Sequence, residues 1–269
     1  MSGWSFIERE TVRLACRDFG GHGPSVLLLH GLAGHAGEWT QTAQWLTSRC
    51  HVVAFDARGH GRSERAPVDV SRAAHVADTV FVVEELGLAP VLLIGQSLGG
   101  LTALLVAARH PDLVRGLVVA DASPEGEEGA NVVRVGQALG NWPVPFPSRD
   151  AAVEFFGGPS LRAEAWADGL EDRGDGLWPC FDVEVMVRTL QDVVGHSYWA
   201  EWDRIRCTTL VARAGDGVLP DTDARSMIDR NPQARLIEFP HSGHDLHLDC
   251  PADWEVAVSQ FLDSSPVQG

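Results

Sequence analysis

Ser97 sits in Gly95-Gln96-Ser97-Leu98-Gly99, directly after the apolar run Val91-Leu92-Leu93-Ile94 and directly before a helix-like stretch, residues 101–109. A serine squeezed between a strand and a helix must hold strained backbone angles, with its hydroxyl pushed out at the sheet's edge. Such a turn brings backbone segments close together, and Gly95, Gly99 and Gly100 keep that space clear. The pattern reads as a nucleophile elbow. A phosphate-cradling loop competes with it but lacks G-x-x-x-x-G-K-[ST], since the chain contains no lysine. A serine hydroxyl is a poor nucleophile until a base takes its proton, and the base needs a third group to fix its tautomer. Two later loops carry suitable residues. His244, in Ser242-Gly243-His244, follows the apolar run 236–239, and Asp216, in Gly215-Asp216-Gly217-Val218-Leu219-Pro220, follows the run 209–212. Ser97, Asp216 and His244 therefore all stand just after strand-like runs, at one edge of a parallel sheet.

That sheet is written in short apolar runs at 26–29, 52–55, 91–94, 117–120, 209–212 and 236–239, with helical patterns at 38–46, 71–86, 101–109, 224–228 and 252–262 between them. Strands apolar on both faces and separated by helices imply a mostly parallel sheet covered on both sides. Residues 6–17 alternate more and suit an antiparallel edge hairpin. The rhythm breaks between residues 124 and 206, which carry helix candidates at 150–156, 161–170 and 183–193 and five of the nine tryptophans. The expected organisation is a core of residues 1–123 and 207–269 with a helical cap, 124–206, inserted over the carboxyl ends of the strands, where ligands bind in such sheets. Trp39 and the cap's Trp178, His196, Tyr198 and Trp199 are candidates to line a substrate pocket, and core packing competes for each of them.

Four further motifs accompany the elbow. His30-Gly31 follows the run 26–29, Asp56-Ala57-Arg58-Gly59-His60-Gly61-Arg62-Ser63 reads D-x-R-G-x-G-x-S, and Asp216 to Pro220 reads D-x-x-x-P, with Gly243-His244 and Pro251 behind it. With them the chain resembles the α/β-hydrolase superfamily over nearly its whole length. The resemblance implies an α/β fold, a mostly parallel central sheet flanked by helices with a helical cap inserted after the sixth family strand. It implies that Ser97 attacks a carbonyl carbon, His244 acts as general base and then acid, and Asp216 orients the imidazole, in the chain order such triads follow. Asp121, after the run 117–120, is a rival acid because some members carry the carboxylate there, and Asp216 is preferred. The backbone N–H groups of Leu98 and Leu32 are the implied oxyanion donors, the first at a helix N-terminus whose dipole favours negative charge. His30 is expected to shape that loop or border the pocket, and the D-x-R-G-x-G-x-S turn to be structural.

Composition bounds the function classes. Net charge is −16 without an acidic block, which argues against nucleic acid and anionic membrane surfaces as partners. Cys16, Cys50, Cys180, Cys207 and Cys250 are scattered without a C-x-x-C, so a disulfide framework and a zinc knuckle are not expected. No signal-like N-terminus or long apolar run is visible, and a cytoplasmic location is the simplest expectation. His241, His244, His247 and Asp249 cluster in sequence, but a triad base accounts for His244, and neither a metal nor a cofactor is expected. Without lysine, Schiff-base chemistry is excluded. A serine at the elbow argues against the epoxide hydrolases and haloalkane dehalogenases of the fold, which use a carboxylate there. The expected activity is hydrolysis of a small apolar carboxylic ester or lactone through an acyl-enzyme. A carbon–carbon bond hydrolase and a cofactor-free perhydrolase share the triad, and a catalytically silent small-molecule receptor is the alternative outside enzymes.

Overall fold

The computed structural model describes residues 3–126 and 128–264. Its strands are β1 (Gly3–Arg9), β2 (Val12–Gly20), β3 (Ser25–Leu29), β4 (His51–Asp56), β5 (Val91–Gln96), β6 (Val114–Ala120), β7 (Leu170–Asp172), β8 (Leu177–Pro179), β9 (Thr208–Asp216) and β10 (Ala234–Gly243). Its helices are α1 (Thr40–Leu46), α2 (Arg72–Glu85), α3 (Leu98–Arg109), α4 (Gly129–Gly140), α5 (Arg149–Phe155), α6 (Leu161–Asp168), α7 (Val183–Gln191), α8 (Trp199–Trp202), α9 (Asp221–Arg230), α10 (Leu246–Asp249) and α11 (Pro251–Ser264). Eight strands make one sheet in the order β1-β2-β4-β3-β5-β6-β9-β10. β2 runs antiparallel to both β1 and β4, and the pairs from β4 to β10 are parallel.

Alternate residues of each buried strand enter opposite cores, as a period of two requires. Leu27 and Leu29 of β3, with Val91 and Leu93 of β5, join the core that holds Val82 and Val83 of α2 and Leu104 and Leu105 of α3. Val26 and Leu28, with Leu92 and Ile94, face the other way, onto Leu46 of α1 and Trp254 and Phe261 of α11. Both faces being covered explains why these strands read as unbroken apolar runs. α3 starts at Leu98, three residues earlier than its apolar pattern, because Ser97 itself occupies the helix N-cap.

Between β6 and β9 the chain leaves the sheet. This segment holds α4 to α8 and the β7–β8 hairpin. Trp142 is the centre of its aromatic packing, edge-on to Phe156 at 4.9 Å, Phe181 at 5.3 Å and Trp166 at 5.8 Å between ring centroids. α4 and the hairpin escape a sequence reading: α4 is interrupted by Gly136 and the hairpin's strands are three residues each.

Candidate active site

Ser97 lies in the turn from β5 to α3 with φ +52° and ψ −123°, a left-handed backbone that non-glycine residues adopt only under constraint. The turn is pinned by the Ser97 N–H, which donates to the Ala120 carbonyl at the end of β6 at 2.8 Å. A Cβ on Gly95 would lie 2.3 Å from the Gly99 carbonyl oxygen, and one on Gly99 would lie 2.4 Å from that of His30. Both positions therefore require glycine for close backbone approach, the reason a G-x-S-x-G pattern marks this turn.

His244 stands between β10 and α10. Its Nδ1–H donates to Oδ2 of Asp121 at 2.7 Å. Asp121 follows β6 directly, is fully buried, and itself holds φ +47°. The backbone N–H groups of Ala214, Val218 and Leu219 also donate to its carboxylate, at 3.2, 2.7 and 3.3 Å. Such donors stabilise the charged carboxylate, and the Nδ1–H bond leaves Nε2 as the basic nitrogen of the neutral ring.

This corrects the expectation for Asp216. Asp216 is the last residue of β9, paired in register with Gly243, and its side chain is exposed. The loop that follows it turns back over Asp121 instead, close enough that a Cβ on Gly217 would lie 2.1 Å from the Asp121 Oδ2. The D-x-x-x-P segment thus supplies backbone amides to the Asp121 carboxylate, and it is Asp121 that bonds His244.

The loop after β3 packs against the elbow. A Cβ on Gly31 would meet the Gln96 Oε1 at 2.2 Å and the Ser97 Cβ at 3.1 Å. His30 fixes this loop: its Nδ1–H donates to the Gly31 carbonyl at 2.7 Å, and its Nε2 accepts from the Ala57 N–H at 3.0 Å. Leu32 follows Gly31 directly, and Leu98 opens α3, where the first N–H groups have no partner within the helix. Next to Ser97, the Gln96 amide donates to the His244 carbonyl at 3.1 Å and to Asp245 Oδ1 at 3.4 Å. The other oxygen of Asp245 accepts from the Trp166 indole at 3.0 Å, so the His244 loop is tied to β5 through Gln96 and to α6 through Trp166, contacts that sequence reasoning did not single out.

Ser97 and Asp121 share a cavity of about 460 Å³, a size suited to a small molecule. Leu98, Leu101, Leu190 and Val193 form its apolar wall, and Glu125, Arg134 and Asp223 its polar side. None of the six residues expected to border a pocket lines it. Trp39 is fully buried in the core on the other side of the sheet, stacked on His247 at 4.2 Å. Trp178 belongs to the β7–β8 hairpin, bonds Asp175 and lies under Arg173. His196 stacks on Tyr198, and Trp199 donates to Glu125, reaching the cavity only through that carboxylate. His30 supports the loop from behind, as described. Aromatic composition cannot separate lining from packing: Trp39, Tyr198 and His30 are buried, Trp178 and Trp199 half-buried, and His196 exposed.

Of the remaining motifs, the D-x-R-G-x-G-x-S turn is a web of internal bonds. Arg58 is bidentate to Asp78 at 2.6 Å for both bonds, and Asp56 accepts from the N–H groups of Ala36 and Arg62. Among the described residues no group of three or more His, Cys, Asp or Glu side chains is arranged to hold a metal ion. No described helix is long and apolar enough to cross a membrane.

Residues 26–258 match the alpha/beta hydrolase family, and the chain belongs to it. It is 30% identical over 264 residues to the pimeloyl-[acyl-carrier protein] methyl ester esterase of Chromobacterium violaceum, covering 91% of this chain and 96% of the relative. It is 29% identical over 252 residues to an sn-1-specific diacylglycerol lipase of Mus musculus, covering 89% of this chain and 81% of the relative. The crystal structure of E-2-(acetamidomethylene)succinate hydrolase superposes with a TM-score of 0.89 at 21% identity, over 98% of this chain and 100% of that one. These relatives are hydrolases with different substrates, so they support hydrolase activity and leave the substrate open.

Proposed function

We propose that the chain is a serine hydrolase that cleaves a small carboxylic ester or lactone through an acyl-enzyme. Ser97 attacks the carbonyl carbon while His244 Nε2 takes the hydroxyl proton. The negative charge that develops on the carbonyl oxygen is received by the N–H groups of Leu98 and Leu32. His244 then protonates the leaving oxygen, and the same ring activates the water that releases the acid and restores Ser97. Asp121 holds the ring in the tautomer both steps need.

The observation that carries this reading is the 2.7 Å bond from His244 Nδ1 to a buried carboxylate bordering the same cavity as Ser97. The ester-cleaving relatives agree with it. A fluorophosphonate probe is expected to modify wild-type protein and not Ser97→Ala. With a short p-nitrophenyl ester, Ser97→Ala is expected to lower kcat by about 10^5–10^6-fold. Retention of most turnover in that variant overturns the proposal.

A further inference from the structure

Against the elbow lies a buried polar cluster that the proposed triad does not use. The Arg72 side chain, the first of α2, reaches the start of α3. Its residue is 4% exposed, and its Nη1 donates to the Leu98 carbonyl and to Thr102 Oγ1, both at 3.1 Å. The Thr102 hydroxyl donates to the same Leu98 carbonyl at 2.8 Å. No carboxylate pairs with the guanidinium among the described residues: Asp192, the acid beside it, accepts from the Arg72 backbone N–H. Arg72 Nε and the Nε2 atoms of His60 and His75 are buried without a hydrogen-bond partner among the described residues. All three residues, with His30, Gly31 and Leu98, surround a cavity of about 20 Å³, room for about one water.

Arg72 carries the positive charge of this cluster. Burial pushes His60 down to about 3, with His30 adding to the effect, and holds His75 well below its ordinary value, so both rings are neutral. Burial also lowers Arg72, to about 10, which leaves it charged at neutral pH. A buried cation is costly; the nearby Asp192 offsets part of that cost, and the place of Arg72 at the positive end of α3 adds to it. The proposed reaction creates a further negative charge, at the N–H of Leu98.

Resting on that reaction, we propose that Arg72 is a positioning residue of the oxyanion hole. By binding the Leu98 carbonyl it holds the first turn of α3, whose Leu98 N–H faces the oxyanion, and its fixed charge stabilises the oxyanion formed when Ser97 attacks. The interaction is stronger in the transition state than in the ground state, because only the transition state supplies the anion. Arg72 therefore acts on kcat and not on substrate binding.

Kinetics of Arg72→Gln and Arg72→Lys with a short p-nitrophenyl ester test this, together with inhibition by a trifluoromethyl ketone that forms a tetrahedral adduct on Ser97. The Gln variant is expected to lose about 10- to 100-fold in kcat with KM within about twofold, and to bind the ketone weaker by the same factor. The Lys variant is expected to recover to within about fivefold of wild type. Should Arg72→Gln fail to fold, Thr102→Val loosens the guanidinium with little change of volume, and a kcat loss of about three- to tenfold at unchanged KM is expected. Folded variants that keep kcat and ketone affinity within twofold overturn the inference, as does a loss carried by KM or a Lys variant no better than Gln. A wild-type protein that neither turns over the ester nor reacts with fluorophosphonate overturns the serine-hydrolase reading itself, which separates the two failures.

Discussion

Asp121 and Asp216 both follow apolar residues of adjacent parallel strands, β6 and β9, and the surroundings of the two strand ends are opposite. At the end of β6 the chain enters a left-handed turn that buries the Asp121 carboxylate under three backbone N–H groups and the His244 ring. β9 runs on as far as Asp216, which pairs with Gly243 and presents its carboxylate to solvent. The difference teaches that a carboxylate fit to orient a histidine is made by what surrounds it. A desolvated carboxylate with fixed donors has one orientation to offer a histidine; an exposed one has many, each screened by water.

Variants at the two strand ends break or sharpen this contrast. Asp121→Asn is expected to lower kcat on a short ester by about 10^4-fold, because the amide no longer holds His244 in the productive tautomer. Gly217→Ala comes next: its methyl would lie against Asp121 Oδ2, so the carboxylate or the loop must shift. A displacement on that scale lowers kcat by about 10^2-fold, measurable in the same assay. Trp166→Phe removes one bond to Asp245 and loosens the His244 loop by a single link, for an expected loss in kcat/KM of about fivefold. Asp216→Asn is expected to leave kcat within about twofold and thermal stability close to wild type, as for exposed substitutions in general. A large loss in Asp216→Asn alongside a mild one in Asp121→Asn reverses the assignment.

Much of this was legible in the sequence. The run 91–94 became β5, the elbow glycines sit where a Cβ would collide with backbone, and His244 follows the last strand. These features are local, since strand, turn and helix follow one another within a few residues. The choice of acid is not local. Both aspartates read as a carboxylate after an apolar strand, and only the path of the chain from residue 214 to 219 decides which one it wraps. The segment between β6 and β9 was harder for the same reason. Its aromatics from Trp142 to Phe181 pack on one another across tens of residues, so sequence could count the rings without saying which of them face a ligand.

The most direct measurement is the protonation of the two ring nitrogens of His244, read by 15N NMR of histidine-labelled protein with the signal assigned from a His244→Gln variant. In wild type the neutral ring is expected to carry its proton on Nδ1 and leave Nε2 bare. Asp216→Asn is expected to keep that pattern, and Asp121→Asn to lose it. A pattern that survives in Asp121→Asn and disappears in Asp216→Asn contradicts the assignment of Asp121.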